Sequence, residues 1–363
     1  MAAPALALVA TAALAAGAGG EIGGRTILLF WPAGAPEFVY PSGGSGRTVA
    51  VAEPSSDRRS VRLIPGIAPG DFPVALLPVG RWLVYNGDRG VSAIASTFSG
   101  RPHVLGRAAF FVPAGVAGHV LLVRTDRSTG RPVSVQSVSV LSGKSAPPRR
   151  LPAGTLDVVE GSATGLVLVS QRGAVQTWTP GRSRHMVANL HGLREDAGIA
   201  SDPRFLVYAS GCAIKEATSG FPRTPVGYHV CAALNIVNLV RLERRTFPAP
   251  PGTIGWTPAG FGANAGIAPD DTMLAASAAT APANKGRAQL FLLRLRGGGG
   301  TTAVPQSTAR LYARTAWSRD GAWLFYQGPG ERLRALNIQS GKSYSRPLRC
   351  CQYTAMLAIT IRR

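Results

Sequence analysis

The chain has 363 residues, 45% of them hydrophobic, so it can bury a large core and global disorder is excluded. Charged residues make up only 16%, while 44 Gly and 28 Pro interrupt the chain throughout, which excludes long helices and favours many short elements joined by turns. The formal net charge is +21; among the 39 cationic side chains only Lys144, Lys215, Lys285 and Lys342 are lysines, an Arg bias that, beside so much Ala and Gly, reflects GC-rich coding in part.

Residues 1–18 are mostly Ala, Leu and Val and carry no charge. Their apolar core, residues 6–16, is shorter than the roughly 20 residues needed to span a bilayer. Small-residue sites follow at Ala13-Leu14-Ala15 and Ala16-Gly17-Ala18. This predicts an export signal, or a short anchor remnant, although Met1-Ala2-Ala3-Pro4 lacks the usual basic start. The remainder, residues 25–363, is expected to be one extracytoplasmic domain, secreted or associated with the cell envelope.

From there onward, apolar runs of period two alternate with turn residues. Residues 27–30 form the first run, followed by 48–52 and 61–64. Residues 72–77 turn at Val79-Gly80 into 82–85 and on to 91–95. Residues 108–112 turn at Ala117-Gly118 into 119–123, and 133–141 ends on Ser142-Gly143-Lys144. Residues 157–161 lead into 166–169 and 174–178. Residues 198–200 turn at Ser201-Asp202-Pro203 into 205–208, with the next strand delayed to 234–240 by an insertion at 209–231. Residues 266–268 turn at Pro269-Asp270-Asp271 into 273–276, then 289–295. The clearest unit comes last: Thr315-Ala316-Trp317-Ser318, the turn Arg319-Asp320-Gly321, the run Trp323-Leu324-Phe325-Tyr326, then Leu336-Asn337-Ile338 and Ser340-Gly341-Lys342.

The second strand of each unit sets a period. Leu83, Leu121, Val167, Leu206, Leu274 and Leu324 are spaced by 38, 46, 39, 68 and 50 residues, and the insertion accounts for the 68. Repeats of roughly 40–50 residues are those of propeller blades. The unit at 315–348 resembles the repeat of TolB-like and WD40-like β-propellers. That resemblance implies a fold and no particular activity, because propellers host many functions. The expected fold is all-β, a propeller of seven blades, with six or eight as alternatives. Residues 26–30 lack a first strand and 355–359 lack following partners, so the two ends are expected to share one blade. Closure of this kind removes exposed strand edges.

Four Cys are present. Cys212 and Cys231 bracket the insertion and are expected to form a disulfide tying off the loop 213–230, a contribution of about 3 kcal/mol in the chain-entropy model. Cys350 and Cys351 are adjacent and form either a vicinal disulfide or two thiols. His103, His119, His185, His191 and His229 are scattered without metal-ligand spacing, so no metal or cofactor is expected. Neither a Gly-x-Ser-x-Gly elbow nor a phosphate-binding loop occurs. Asp202, Asp270 and Asp320 recur at one turn of three units and suit turn-stabilising hydrogen bonds. The most chemically mixed stretch contains His191, Arg194, Glu195 and Asp196, candidates for a polar ligand site.

The function these features favour is a non-catalytic binding or scaffold module. The expected partner is a protein, a glycan or an anionic envelope polymer or lipid surface, attracted by the basic surface. No nucleic-acid partner is expected of an exported chain. The alternative is a hydrolase or lyase with its site at the mouth of a propeller channel.

Overall fold

The computed structural model describes residues 24–30, 46–52, 59–65, 76–87, 90–95, 101–162, 165–170, 173–179, 184–189, 199–201, 205–218, 225–238, 241, 243–257, 266–296, 300–310, 315–318, 320–349 and 357–362. The expected export segment, residues 1–18, lies outside them. Branched and aromatic residues between Gly and Pro breaks form 29 strands among the described residues, beside two single-turn 3-10 segments, Ala283–Lys285 and Pro329–Glu331. No helix there is long and apolar enough to cross a membrane.

Every pairing between these strands is antiparallel. Strands β1 (Gly24–Phe30), β2 (Gly46–Ala52) and β3 (Arg59–Pro65) run side by side. Strands β4 (Leu76–Val79), β5 (Trp82–Gly87), β6 (Gly90–Ala95) and β7 (His103–Gly106) make an up-and-down sheet of four. The same arrangement recurs in β8 (Phe110–Pro113), β9 (His119–Thr125), β10 (Pro132–Ser139) and β11 (Arg149–Arg150). It recurs again in β12 (Thr155–Ser162), β13 (Gly165–Ser170), β14 (Ala174–Trp178) and β15 (His185–Asn189).

Strands β16 (Ile199–Ser201), β17 (Phe205–Thr218), β18 (Pro225–Asn238) and β19 (Glu243–Pro248) follow. They join β20 (Thr253–Thr257), β21 (Met273–Thr280), β22 (Arg287–Arg294), β23 (Thr301–Ala303) and β24 (Ala309–Arg310) in one nine-stranded sheet. Strands β25 (Thr315–Trp317), β26 (Trp323–Gln327), β27 (Arg332–Asn337) and β28 (Ser343–Arg349) form another sheet of four. Finally β29 (Leu357–Arg362) returns to the first strand, with Ile27 opposite Ile359, Leu28 opposite Ala358 and Leu29 opposite Leu357.

The core lies between successive sheets, and the two-residue period of each strand explains why. Val120 and Leu122 of β9 pack back on Leu77 and Val84, while Leu121 and Val123 pack forward on Val158, Leu166 and Leu168. Val167 and Val169 then meet Leu206, Tyr208 and Val237. Val207, Leu234 and Phe247 meet Trp256, Ala276 and Phe291, and Ala275 and Leu290 meet Trp317, Leu324 and Leu336. All six second-strand markers, Leu83 to Leu324, are buried. Two of the recurrent turn acids behave as the sequence suggests: Asp270 Oδ1 accepts from Thr272 N at 3.1 Å, and Asp320 Oδ1 accepts from Ala322 N at 3.1 Å. Gly321 follows with φ +71, a conformation that costs a side chain-bearing residue strain. Asp202 lies outside the described residues.

Three expectations are corrected. The first strand of the sixth unit is Thr253–Thr257; residues 266–268 form no strand and meet the sheet through an isolated bridge from Ile267 to Leu274. Strand β21 is eight residues long, so β20 covers its far half and leaves its beginning to 266–268. Next, the fifth and sixth units are joined in one sheet, because Cys231 reaches past its own unit to pair with Trp256.

The third correction concerns the insertion. It is no loop: β17 and β18 continue as a hairpin of 14-residue strands, paired from Phe205 opposite Asn238 to Thr218 opposite Pro225. Cys212 and Cys231 sit directly opposite each other, joined by a disulfide with 3.9 Å between their Cα atoms. One side of this arm is covered: Ala217, Tyr228 and Val230 pack on Ala279 and Ala288, and the Tyr228 hydroxyl donates to Ala283 O at 2.8 Å. Ala213, Ile214, Lys215 and Glu216 stay exposed.

Since the hairpin ladder already closes the segment, a Cys212→Ser/Cys231→Ser double variant is expected to lose less than the about 3 kcal/mol of the free-loop model. Hydrogen exchange should quicken along 211–218 and 225–230 before the rest of the chain. Uniform acceleration throughout would show that the disulfide holds the whole sheet.

Candidate functional site

The four residues singled out as a polar site, His191, Arg194, Glu195 and Asp196, lie outside the described residues, as do Cys350 and Cys351. Among the described residues no three His, Cys, Asp or Glu side chains gather as a metal site. His119 opens β9 at the sheet's end, with Nδ1 3.1 Å from Ala117 O. Two other features have chemical character, and both lie at the boundaries of the β12–β15 sheet.

The first is Asp157 on β12. Register relates the first strands of the sheets to one another. Leu76 lies opposite Tyr85, Phe110 opposite Val123, Asp157 opposite Val169, Ile199 opposite Tyr208 and Thr315 opposite Tyr326. Asp157 is the acid in a row otherwise uncharged. A bulge sits just before it: Thr155 faces Ser170 and Asp157 faces Val169, so Leu156 is the extra residue. Bulges re-aim side chains. Here Leu156 packs toward Val169, Leu206 and Tyr208, whereas Val158 packs toward Val112 and Val123.

Val158 N donates to Asp157 Oδ1 at 2.8 Å. Burial pushes this carboxyl up to about 6, against the opposing pull of that N–H. The side chain is nevertheless partly exposed. Its raised value means that folding favours the protonated form, so stability falls as pH rises from the ordinary carboxyl range to about 6 and is level above it.

The second feature is a polar row across β17, β18 and β19. Tyr208, Asn235 and Thr246 are aligned by register. Asn235 is fully buried, and its Oδ1 accepts from Arg244 Nε at 3.2 Å, Arg244 Nη2 at 2.7 Å and Thr246 Oγ1 at 2.9 Å. Its Nδ2 donates to Ser210 Oγ at 2.8 Å. The Arg244 guanidinium lies over the Tyr208 ring, 5.6 Å from its centroid. The Tyr208 hydroxyl is buried and has no hydrogen-bond partner among the described residues. Burial pushes it up, with the Arg244 charge opposing. Tyr326, at the same place in its own sheet, is satisfied: its hydroxyl donates to Pro305 O at 2.8 Å and shares a hydrogen bond with Ser343 Oγ at 2.8 Å. The row around Asn235 thus fixes three strands to one another.

Sequence reading took Asp157 as the start of an ordinary strand. The available signal was an acid at the head of an apolar run in a chain with only 18 acids.

No family model matches the chain, and no curated protein matches it. Among solved structures it is similar to AztD of Citrobacter koseri, at 10% identity over 93% of this chain and 98% of that one, with a TM-score of 0.45. It is similar to the WD40 domain of Neurospora crassa Pan2, at 12% identity over 91% of this chain and 98% of that one, with a TM-score of 0.47. It is also similar to U3-55K, at 12% identity over 77% of this chain and 82% of that one, with a TM-score of 0.48. These are distant likenesses to β-propeller proteins at low identity.

Proposed function

We propose that the chain is a seven-bladed β-propeller of the TolB-like and WD40-like kind that serves outside the cytoplasm as a non-catalytic binding or scaffold module. The observation that carries the reading is the succession of four-stranded antiparallel meanders, packed one on the next from β4 to β28, with the last strand paired to the first. On this reading the nine-stranded sheet is two blades joined at Cys231 and Trp256, and the β29–β1 pairing closes the ring. The uncharged apolar stretch at residues 1–18 supports export.

The partner is an anionic envelope polymer or lipid surface. The net charge of +21 supports this choice. So does the exposed row in which Arg124 and Arg150 flank Ser134 on adjacent strands, with Arg149 exposed beside them. His191, Arg194, Glu195 and Asp196 remain the proposed polar contacts of a more specific ligand.

Retention on phosphatidylglycerol vesicles is expected to fall steeply between low and physiological salt, where screening acts over about 8 Å. An Arg124→Gln/Arg149→Gln/Arg150→Gln variant should bind at least about tenfold more weakly, at about 1 kcal/mol for each Arg near an anionic surface. Retention indifferent to salt would separate the partner from the charge and overturn this choice.

A further inference from the structure

We propose that Arg124, Ser134 and Arg150 form a seat for one phosphodiester group of a glycerophospholipid headgroup, so that the basic surface reads phosphate by shape as well as by charge. The seat deepens the anionic-partner reading above and rests on it for the presence of a membrane.

Register brings the three side chains together. Ser134 lies opposite Arg124 on one neighbouring strand and opposite Arg150 on the other. Residues directly opposite share a face of the sheet, and neighbouring strands lie about 4.8 Å apart. The two arginines therefore stand one strand to either side of the hydroxyl. Their sequence neighbours Val123, Val135 and Leu151 are buried in the core toward β12 and β13, so alternation turns Arg124, Ser134 and Arg150 to the other face. Both arginines are exposed, and Ser134 is partly exposed. The platform beneath them is fixed at both ends. Val133 is the extra residue of a bulge between Pro132 and Ser134, and its carbonyl accepts from Leu151 N at 2.9 Å, which ties β11 to β10 beside Arg150. Asp126 holds the turn that follows Arg124: its Oδ1 accepts from Ser128 N and from Thr129 N, each at 2.9 Å, and from the hydroxyls of both residues. A row held this way loses little freedom when a ligand settles on it.

The donor set narrows the class. A guanidinium meets phosphate through two parallel N–H donors, whereas a lysine in its place offers only a point charge. Two guanidiniums on either side of a hydroxyl match the two unesterified oxygens of a phosphodiester, one to each arginine, while the serine O–H donates to the same group from the strand between. A planar carboxylate is satisfied by one arginine and leaves the second without a role. Val133 favours a lipid as the source. It is apolar and 40% exposed beside the seat, and an aliphatic side chain gains from the acyl boundary of a membrane but not from a hydrated polymer.

Retention of the full chain on vesicles of digalactosyldiacylglycerol, a neutral lipid without phosphate, tests the seat. The vesicles carry either phosphatidylglycerol or cholesteryl hemisuccinate at equal surface charge. Binding is expected to be about tenfold tighter to the phosphate than to the carboxylate. Arg124→Lys/Arg150→Lys keeps the charge and removes the paired donors, so it should bind the two kinds of vesicle alike, and Ser134→Ala should fall between. Arg294→Lys/Arg296→Lys, at the exposed end of β22, should keep the wild-type ratio. Circular dichroism checks that each variant is folded. Salt-sensitive but equal retention of the wild-type chain on both vesicles would overturn the seat and leave the anionic-partner reading in place, whereas no retention on either would overturn both. Survival of the ratio in the Arg124→Lys/Arg150→Lys variant would also overturn the seat. Displacement from the phosphatidylglycerol vesicles by soluble glycerol phosphate oligomers at matched phosphate concentration would assign the seat to a polymer and overturn the lipid source.

Discussion

Removal of residues 354–363 is expected to lower the thermal unfolding midpoint of the entire chain by about 5–10 °C, as measured by circular dichroism or calorimetry. Strand β29 pairs with β1 over six positions, from Gly24 opposite Arg362 to Leu29 opposite Leu357. It also packs near β25, the first strand of the preceding sheet. Its loss strips β1 of backbone partners along one edge and leaves that edge open. An effect confined to the end of the chain would leave the midpoint where it was. That outcome would remove the main support for a closed ring.

Replacing Trp256 by Ala is expected to cost about 3–5 kcal/mol in denaturant unfolding, the range for deleting a large buried ring. Trp256 is fully buried, stands edge-on to Phe291 with 5.9 Å between ring centroids, and donates from Nε1 to Phe247 O at 3.0 Å. It lies opposite Cys231, at the bridge that joins β18 to β20. Truncation therefore empties a cavity between two packed groups of strands and leaves a buried carbonyl without its donor. Trp256→Phe should recover most of the packing but not the hydrogen bond, and fall between the two. A loss below about 1 kcal/mol for the Ala variant would mean that the two groups of strands do not depend on this contact.

Trp256 also illustrates why sequence reading stopped short here. Its strand, Thr-Ile-Gly-Trp-Thr, is brief and follows Pro250-Pro251-Gly252, so it reads as turn rather than sheet. Only its pairing with β21 identifies it as a first strand. By contrast, Leu83, Leu206 and Leu324 announce themselves, each within a run such as Trp-Leu-Val-Tyr, Phe-Leu-Val-Tyr or Trp-Leu-Phe-Tyr, and each is fully buried. Such runs carry both the period and the β-rich composition in a few residues.

What the amino-acid sequence determined by itself was local. Alternation marked the second strands, Asp-Gly and Ser-Gly marked the turns, and an even number of cysteines with an insertion between two of them marked the Cys212–Cys231 disulfide. Each of these depends on residues within a few positions or on simple chemistry of one residue type. What only the tertiary structure decided was pairing at a distance and its consequences. The segment between the cysteines has alternating residues on both strands, but whether it forms a loop or an arm depends on the cover supplied by Ala279 and Ala288, some 50 residues later. Asp157 is an ordinary acid in the sequence. A one-residue bulge and two packed interfaces make it a desolvated one. Register and burial are properties of edges meeting across the chain, and no window of neighbouring residues contains them.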